Sequence, residues 1–499
     1  MPKILGISSS LRNARWGFGS SVLINTLKDI KDEDGLYAFL KNQSDIHIEN
    51  FIKAGRNRKD PFISIYCNLK KQKGDRGLSN SEVALAAALW AIQKKGVEIE
   101  HLSLSEFFQF TGKQVNIDYL KERLIKADAI LLSGPVYFGD RGSLAQELIS
   151  LIRSDGKLRR ILKGKLYGGI SVGAKRNGGQ ETTLIYQILD MDSLGFLAVG
   201  NDSDTTAQYG GTCHAGDIGT MYKDKYGLDT SKGTGRRLAN LLINLHQKKE
   251  LKGVPKVLFL LLQDTNDLAK RNIYDLIERC SSSMKASVLD LKIDNIYRCI
   301  ACDICPKEIG IDEVYRCIIG AKNDAFSKYH NILLNSDAIV PVAASVHDYS
   351  SLKTVYQLFI ERTRYLRRGD YALSDRLTAP LVFEEIGASE FLSLRMITSL
   401  IRHHLVISKP MIGYIHKGKV LNSEQLIVEL EEFCKNAARI TEARLSSGFS
   451  SKKETRYLPV GYILGSEKEN DEKIINKREN MVESRLQKMK SEAMQRLII

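Results

Sequence analysis

Residues 126–153 read KADAILLSGPVYFGDRGSLAQELISLIR, and residues 335–362 read NSDAIVPVAASVHDYSSLKTVYQLFIER. Laid over each other, Asp128 matches Asp337, and an apolar run, a loop and an amphipathic helix follow in the same order. A continuous apolar run of strand length, followed by a helix, reads as one step of a parallel sheet buried on both faces. Its recurrence predicts two copies of one α/β domain in tandem.

The flanking sequence extends the pattern. KILGISS (3–9), VEIEHLSL (97–104) and KLYGGISVGA (165–174) have strand character, while SEVALAAALWAIQKKG (81–96) and GTGRRLANLLINLHQ (233–247) have helical character. After Pro255 the order restarts with a strand KVLFLLL (256–262), a helix IYDLIERCSSSM (273–284) and a strand ASVLDLK (286–292). Alternation of this kind predicts doubly wound parallel sheets with helices on both faces. The expected domains are 1–250, with an insertion at about 13–78, then 251–445, then a charged helical tail, 446–499. In the tail Val482, Leu486, Met489, Ala493 and Leu497 recur at helical spacing. That stripe fits a helix packed on its own protein or on a copy of itself, which would make a homodimer; partner docking is the alternative.

A chain of 499 residues is too long for one core. With 43% hydrophobic and 26% charged residues it has an ordinary globular composition. Its longest apolar runs, such as VLFLLL (257–262), have strand length and are too short to span a bilayer. No leader or lipidation pattern opens the sequence, so the expected compartment is the cytoplasm. Clustered cysteines there more often bind metal or do redox work than form disulfides. The net charge of +14 is spread along the chain without a helix-turn-helix, zinc-finger or RNP-like signature. An anionic small ligand or an acidic protein partner accounts for it as well as a nucleic acid does.

In a doubly wound sheet the ligand sits beyond the carboxyl ends of the strands. The loop there after the first strand is GISSSLR (6–12), where Ser8 and Ser10 offer hydroxyls and Arg12 a guanidinium for a phosphate. Ser-rich turns are common, so this loop alone is a weak signal. GLSNSEVALAAAL (77–89) places Ser79 and Glu82 as a capping box at a helix start, where free amides point at any bound anion. Read alone, that is an ordinary helix cap.

Together these motifs resemble the NAD(P)H-dependent FMN reductase and iron–sulfur flavoprotein group. That group has a flavodoxin-like fold and a GISGSPR-type loop, followed within a few residues by an SNT-E-type helix start. Here GISSSLR and SNSE (Ser79, Asn80, Ser81, Glu82) are separated by residues 13–78, with Ser9 in place of the usual glycine and Leu11 in place of the proline. A long insertion adds loop-closure cost only slowly, so the halves can still meet. The resemblance implies that Pro135, Val136, Tyr137 and Phe138, in SGPVYFGDRGSL (133–144), run past a flavin ring. GAKRNGGQE (173–181) then approaches the ring's pyrimidine end through Gly173, Arg176, Asn177, Gly178, Gly179 and Glu181. Gly178 and Gly179 allow backbone close to a flat ring, and Arg176 or Asn177 can hydrogen-bond its polar edge.

The second copy lacks this cradle. Its loop, LLLQDTNDLAKRN (260–272), places Asp264 and Asp267 where a phosphate would sit, and carboxylates repel it. EEIGASE (384–390) lacks the double glycine, and His347 reads more readily as a structural or surface histidine than as an acid or base. What this copy carries instead is YRCIACDICP (297–306) with Cys299, Cys302 and Cys305, followed by Cys317. C-x2-C-x2-C is the spacing of a [4Fe–4S] wrap, whereas structural zinc uses two separate knuckles. Reduced free thiols are the third reading, and Cys317 is either a fourth ligand or a core cysteine. Cys67, Cys213, Cys280 and Cys434 read as inert thiols.

The resemblance places a compact cysteine motif at this point of the iron–sulfur flavoproteins, whose dimers bring one subunit's cluster near the other's flavin. It implies an FMN and [4Fe–4S] oxidoreductase, with NAD(P)H as donor and a redox partner protein or a small molecule as acceptor. Flavin chemistry needs no protein nucleophile, so no catalytic residue is named. A dedicated electron carrier or assembly subunit, with 13–78 and the basic tail as docking surfaces, is the alternative; a scaffold without cofactors is the third.

Overall fold

The computed structural model describes residues 1–12, 19–202, 208–291, 296–301, 317, 319, 323–346, 354–387, 391–449 and 472–498. The chain divides into two compact units, Met1–Ile243 and Asn244–Ile499.

Unit 1 opens with β1 (Lys3–Ser8), then three helices of the insertion, α1 (Gly19–Asp29), α2 (Glu33–Lys53) and α3 (Phe62–Lys71). There follow α4 (Asn80–Gln93), β2 (Glu98–Ser103), α5 (Ile117–Lys126), β3 (Ala129–Tyr137), β4 (Asp140–Arg141), α6 (Ser143–Ser154) and α7 (Gly156–Leu162). The unit closes with β5 (Leu166–Gly173), α8 (Gln180–Ser193), β6 (Leu197–Ala198), β7 (Gly211–His214) and α9 (Lys225–His246). β1 lies between β2 and β3, β5 follows β3, and β6 and β7 flank the two ends of β5, all parallel. This 2-1-3-4-5 order is that of flavodoxin-like sheets. Gly6 lets α4 lie close on β1: a β-carbon there would stand 2.9 Å from a Leu89 methyl.

Unit 2 begins with β8 (Lys256–Gln263), α10 (Leu268–Arg279), β9 (Lys285–Asp290), α11 (Phe326–Asn335), β10 (Ala338–Ser345), α12 (Thr354–Arg362) and α13 (Arg364–Asp370). It continues with β11 (Leu377–Thr378), β12 (Leu381–Glu385), α14 (Leu392–Leu400), β13 (Val406–Ile407), β14 (Met411–His416), β15 (Lys419–Val420), α15 (Ser423–Ser447) and α16 (Glu472–Arg496). The pairings β9–β8–β10, then β10 with β11 and β12, then β11–β13 and β12–β14, are parallel and give the same order. Pro380 and Pro410, which have no amide to donate, fall at the breaks that divide the fourth and fifth strands.

The aspartates matched in the sequence do the same work in both units. The Lys3 amide donates to the Asp128 carboxylate at 2.8 Å, and the Lys256 amide donates to Asp337 at 2.8 Å. In each case the aspartate's own amide returns a bond to the lysine carbonyl, at 2.9 and 2.8 Å. Asp337 also receives Arg444 at 2.8 Å and the fork of Arg496 from the end of α16. Burial pushes its carboxyl up, but the two guanidinium groups outweigh that and hold it below the usual carboxylate range. Ala493 and Leu497 bury against Leu251 and Leu445, so α16 is anchored on its own unit by its last turn.

Candidate functional site

β1 ends at Ser8 and runs on into Ser9 and Ser10, all three buried. The Ser9 amide donates to the Ser133 carbonyl at 2.8 Å, and its hydroxyl donates to the same oxygen at 3.2 Å. The Ser133 hydroxyl in turn donates to the Ser81 carbonyl at 2.8 Å. These buried bonds join the end of β1, the middle of β3 and the start of α4. The halves separated by the insertion therefore meet. Ser9, where a glycine was expected, fits because Gly134 has no side chain: a β-carbon there would collide with its hydroxyl.

α4 opens with the capping box expected from the sequence. The Glu82 amide donates to the Ser79 hydroxyl at 3.4 Å, and the Ser79 amide donates to the Glu82 carboxylate at 3.1 Å. Asn80 and Ser81 then lie in the first turn, where amides have no intrahelical acceptor and the helix dipole favours an anion. The Asn80 side chain donates to the Asp217 carbonyl at 2.9 Å and accepts the Met221 amide at 3.3 Å. Asn80 thus ties the helix start to the segment after β7. Ser10 accepts the Arg12 amide at 3.2 Å, and the Arg12 guanidinium lies 5.7 Å from the centre of the Phe62 ring on α3.

The insertion also delivers the chain to Ser79. Gly77, at φ +74°, passes so close to α2 that a β-carbon would strike the backbone of Gln43 and His47. The Leu78 amide donates to the Gln43 carbonyl at 3.2 Å. His47, fully buried, donates to the Arg76 carbonyl at 3.3 Å and meets Phe51 edge-on. Burial pulls its pKa down to about 4, so it is neutral in the folded chain near pH 7.

The other two loops converge beside β3. Tyr137 and Asp140 pair across a two-residue turn in which Phe138 has φ 52° and Gly139 φ 80°. Both central residues are left-handed, the pattern of a type I′ hairpin. Pro135 and Val136 are half-buried, while Tyr137 and Phe138 are exposed. In the loop from Gly173 to Glu181, Asn177 has φ 58° and Gly179 φ 98°. A β-carbon on Gly179 would stand 2.7 Å from the Gly139 Cα, and one on Gly178 would stand 2.8 Å from the Lys175 carbonyl. Both glycines are therefore needed for close backbone approach. The Gln180 side-chain Nε2 donates to the carbonyls of Lys175 at 2.7 Å and Cys213 at 3.0 Å, tying this loop to β7. Arg176 donates to the Thr212 carbonyl at 3.2 Å, pairs with Asp224 and lies 4.9 Å from the Tyr226 ring centre. Its guanidinium braces β7 and the segment after it, leaving Lys175, Asn177 and Glu181 as the other exposed polar groups of the loop.

At the matching point of unit 2, Asp264 accepts the amides of Thr265 at 2.8 Å, Ala269 at 2.8 Å and Lys270 at 3.1 Å. The first-turn amides of α10 are thus taken by a carboxylate of the chain itself. Asp267, at φ 54°, makes no side-chain cap. Burial raises the pKa of half-buried Glu384. His347, Cys302 and Cys305 lie outside the described residues. Cys299 and Cys317 are half-buried free thiols, and Cys317 packs on the core that contains Phe326 and Tyr365. Among the described residues no group of three or more His, Cys, Asp or Glu could hold a metal ion. Burial pushes the Cys213 and Cys434 thiols up to about 12, as suits inert cysteines. Also among the described residues, no helix is long and apolar enough to cross a membrane.

The sequence profile of the NADPH-dependent FMN reductase family matches residues 64–201. An iron–sulfur flavoprotein of Methanocaldococcus jannaschii is 36% identical over 179 residues, 33% of this chain and 90% of that protein. An NAD(P)H dehydrogenase (quinone) of Caulobacter vibrioides is 32% identical over 138 residues, 25% of this chain and 68% of that protein. An iron–sulfur flavoprotein of Methanosarcina thermophila is 28% identical over 190 residues, 34% of this chain and 92% of that protein.

Proposed function

We propose a division of labour from one premise: the chain belongs to the NADPH-dependent FMN reductase and iron–sulfur flavoprotein group and is an NAD(P)H-dependent flavin oxidoreductase. In this reading unit 1 holds FMN. The observation that carries it is the buried Ser9–Ser133–Ser81 bonding, which assembles one anion cradle from two distant stretches. The residues fit the group: Ser8, Ser10 and the first turn of α4 would take its phosphate, with Arg12 balancing charge at the rim. The touching loops 135–139 and 173–181 would take the ring, with Tyr137 and Phe138 offering aromatic surface and Asn177 a polar edge. Bound FMN supplies two-electron exchange with NAD(P)H. The chain's own part is to orient the ring against the backbone of Gly179 and to hold the phosphate away from water.

Unit 2 is, in the same reading, a duplicate of unit 1, with α16 added to it and its own phosphate loop filled by Asp264. Cys299, Cys302, Cys305 and Cys317 form a soft all-thiolate donor set, which suits a [4Fe–4S] cluster. Such a cluster supplies single-electron steps toward a partner protein or small acceptor. Anaerobic purification with flavin and iron counts, followed by NADH and NADPH oxidation assays, tests this. Bound FMN, bound iron and rapid oxidation of either nucleotide are expected; zinc without iron, or a chain without flavin, overturns it.

A further inference from the structure

The insertion brings exposed aromatic rings and cations to the rim of the cradle. α3 packs inward through Ile65 and Leu69, which share a small core with Phe51 and Ile218. Its outward side begins with Phe62, 43% exposed, whose ring lies 5.7 Å from the Arg12 guanidinium and 6.1 Å from the Tyr66 ring. Phe110, between β2 and α5, is 46% exposed and meets Tyr66 edge-on at 5.1 Å. Lys70, one turn along α3, sets its Nζ 4.9 Å from the centre of the Tyr66 ring and 5.9 Å from that of Phe110. Buried Tyr66 is therefore the floor of a shelf, with Phe62 and Phe110 as its two exposed rings.

Phe110 is held in a tight turn. The Gln109 amide donates to the Lys113 carbonyl at 2.9 Å, the Gly112 amide to the Gln109 carbonyl at 2.8 Å, and the Val115 amide to the Phe107 carbonyl at 2.9 Å. Exposed aromatic surface on a braced scaffold marks a binding surface. The charges decide what it binds. Asp60 is taken by Arg58 at 2.9 Å and Asp217 by Arg56 at 2.6 Å, while Arg12 and Lys70 form no ion pair among the described residues. Cations beside ring faces suit a ligand with a flat base to stack and a phosphate to pair. A second copy of this chain, with its net charge of +14, would bring like charges together.

The Arg12 amide donates to the Ser10 hydroxyl, so the shelf adjoins the phosphate end of the cradle. A nicotinamide must reach the ring loops, which leaves the other end of its nucleotide to lie toward the shelf. We propose that this shelf is the adenosine site of the donor nucleotide: Phe62 and Phe110 hold the adenine, and Lys70 pairs with the ribose 2′-phosphate, so that NADPH is preferred to NADH. The proposal rests on the reading that Ser8 and Ser10 take the FMN phosphate.

The test is calorimetric titration of the purified 499-residue chain with 2′,5′-ADP and with 5′-AMP, neither of which can transfer a hydride. FMN counts and initial rates with NADPH and NADH accompany it. The wild type is expected to bind 2′,5′-ADP about tenfold more tightly than 5′-AMP. Lys70→Gln should weaken 2′,5′-ADP about tenfold and leave 5′-AMP unchanged. It should also raise KM for NADPH but not for NADH, with kcat and FMN content unaltered. Lys70→Arg, which keeps the charge, should restore 2′,5′-ADP affinity. Phe110→Ser should weaken both fragments about tenfold through lost stacking. Equal affinity of the two fragments in the wild type overturns the proposal, as does unchanged 2′,5′-ADP affinity in either Lys70→Gln or Phe110→Ser. A Phe110→Ser chain that binds both fragments normally but sediments as a monomer where the wild type is a dimer also overturns it, and makes the shelf a contact between copies. A chain without FMN that still shows the Lys70-dependent preference defeats the cradle reading and leaves the shelf standing.

Discussion

α4 and α10 follow the first strand of two sheets with the same strand order, yet their first turns face opposite chemistry. In unit 1 Asn80 and Ser81 lie in the first turn of α4, where amides have no intrahelical acceptor. In unit 2 the Thr265 amide and two first-turn amides of α10 already hold the Asp264 carboxylate. In the proposed reading the anion is left to a ligand in unit 1, whereas in unit 2 the chain supplies it. Equivalent topology therefore does not carry equivalent binding; one carboxylate at the strand end is enough to fill the cradle.

The largest expected effect comes from giving unit 1 the chemistry of unit 2. Ser10→Asp puts a carboxylate beside the phosphate, and at about 4 Å and intermediate polarity that costs about 4 kcal/mol, or roughly a thousandfold in FMN affinity. A flavin-fluorescence titration reads it directly; unchanged affinity would place the phosphate elsewhere.

Next is an acid sensitivity that begins in the insertion. The His47 pKa in the folded chain is about 4, below its ordinary value of 6.5. The stabilisation is therefore complete above pH 6.5 and is lost as pH falls toward 4, by up to about 3 kcal/mol. His47→Gln should flatten the pH dependence of FMN release in that window, whereas an unaltered profile would remove His47 from the account. Asp192, on α8, has the opposite sign: it is fully buried, neither carboxylate oxygen has a hydrogen-bond partner, and burial raises its pKa well above 3.8. Stability is lost there as pH rises through the normal carboxylate range, so Asp192→Asn should add about 2 kcal/mol to unit 1 at pH 7 by urea unfolding.

Smaller effects sharpen the comparison. Gly179→Ala must adopt φ near +98° and press on Gly139, which should weaken FMN about tenfold while leaving far-UV circular dichroism unchanged. Asp264→Asn weakens the cap of α10 and should cost unit 2 about 1 kcal/mol without creating a second flavin site.

Much of this was legible in the sequence because it depends on local pattern. The apolar runs at 3–9, 126–137 and 256–262 marked buried strands, Asp128 and Asp337 marked equivalent strand starts, and Ser79 with Glu82 marked a helix start. What escaped depends on contacts between distant residues. Nothing near Ser133 announces that its hydroxyl reaches the Ser81 carbonyl across an insertion. Arg176 looked free to meet a ring edge, but its engagement by Asp224 requires knowing how the chain returns after β7. Asp264 was legible as a charge hostile to phosphate; its role as the replacement anion was not, because that depends on the turn before Ala269. Phe110 gave no signal between β2 and α5, and only the fold sets it against Tyr66 of the insertion.

The central claim is that one cradle is open and the other filled. Flavin counting on the anaerobically purified 499-residue chain and its two exchange variants tests it most directly. The account predicts about one FMN per chain in the wild type and in Asp264→Asn, and almost none in Ser10→Asp. Flavin retained in Ser10→Asp, or flavin lost in Asp264→Asn while unit 2 stays folded, would contradict it.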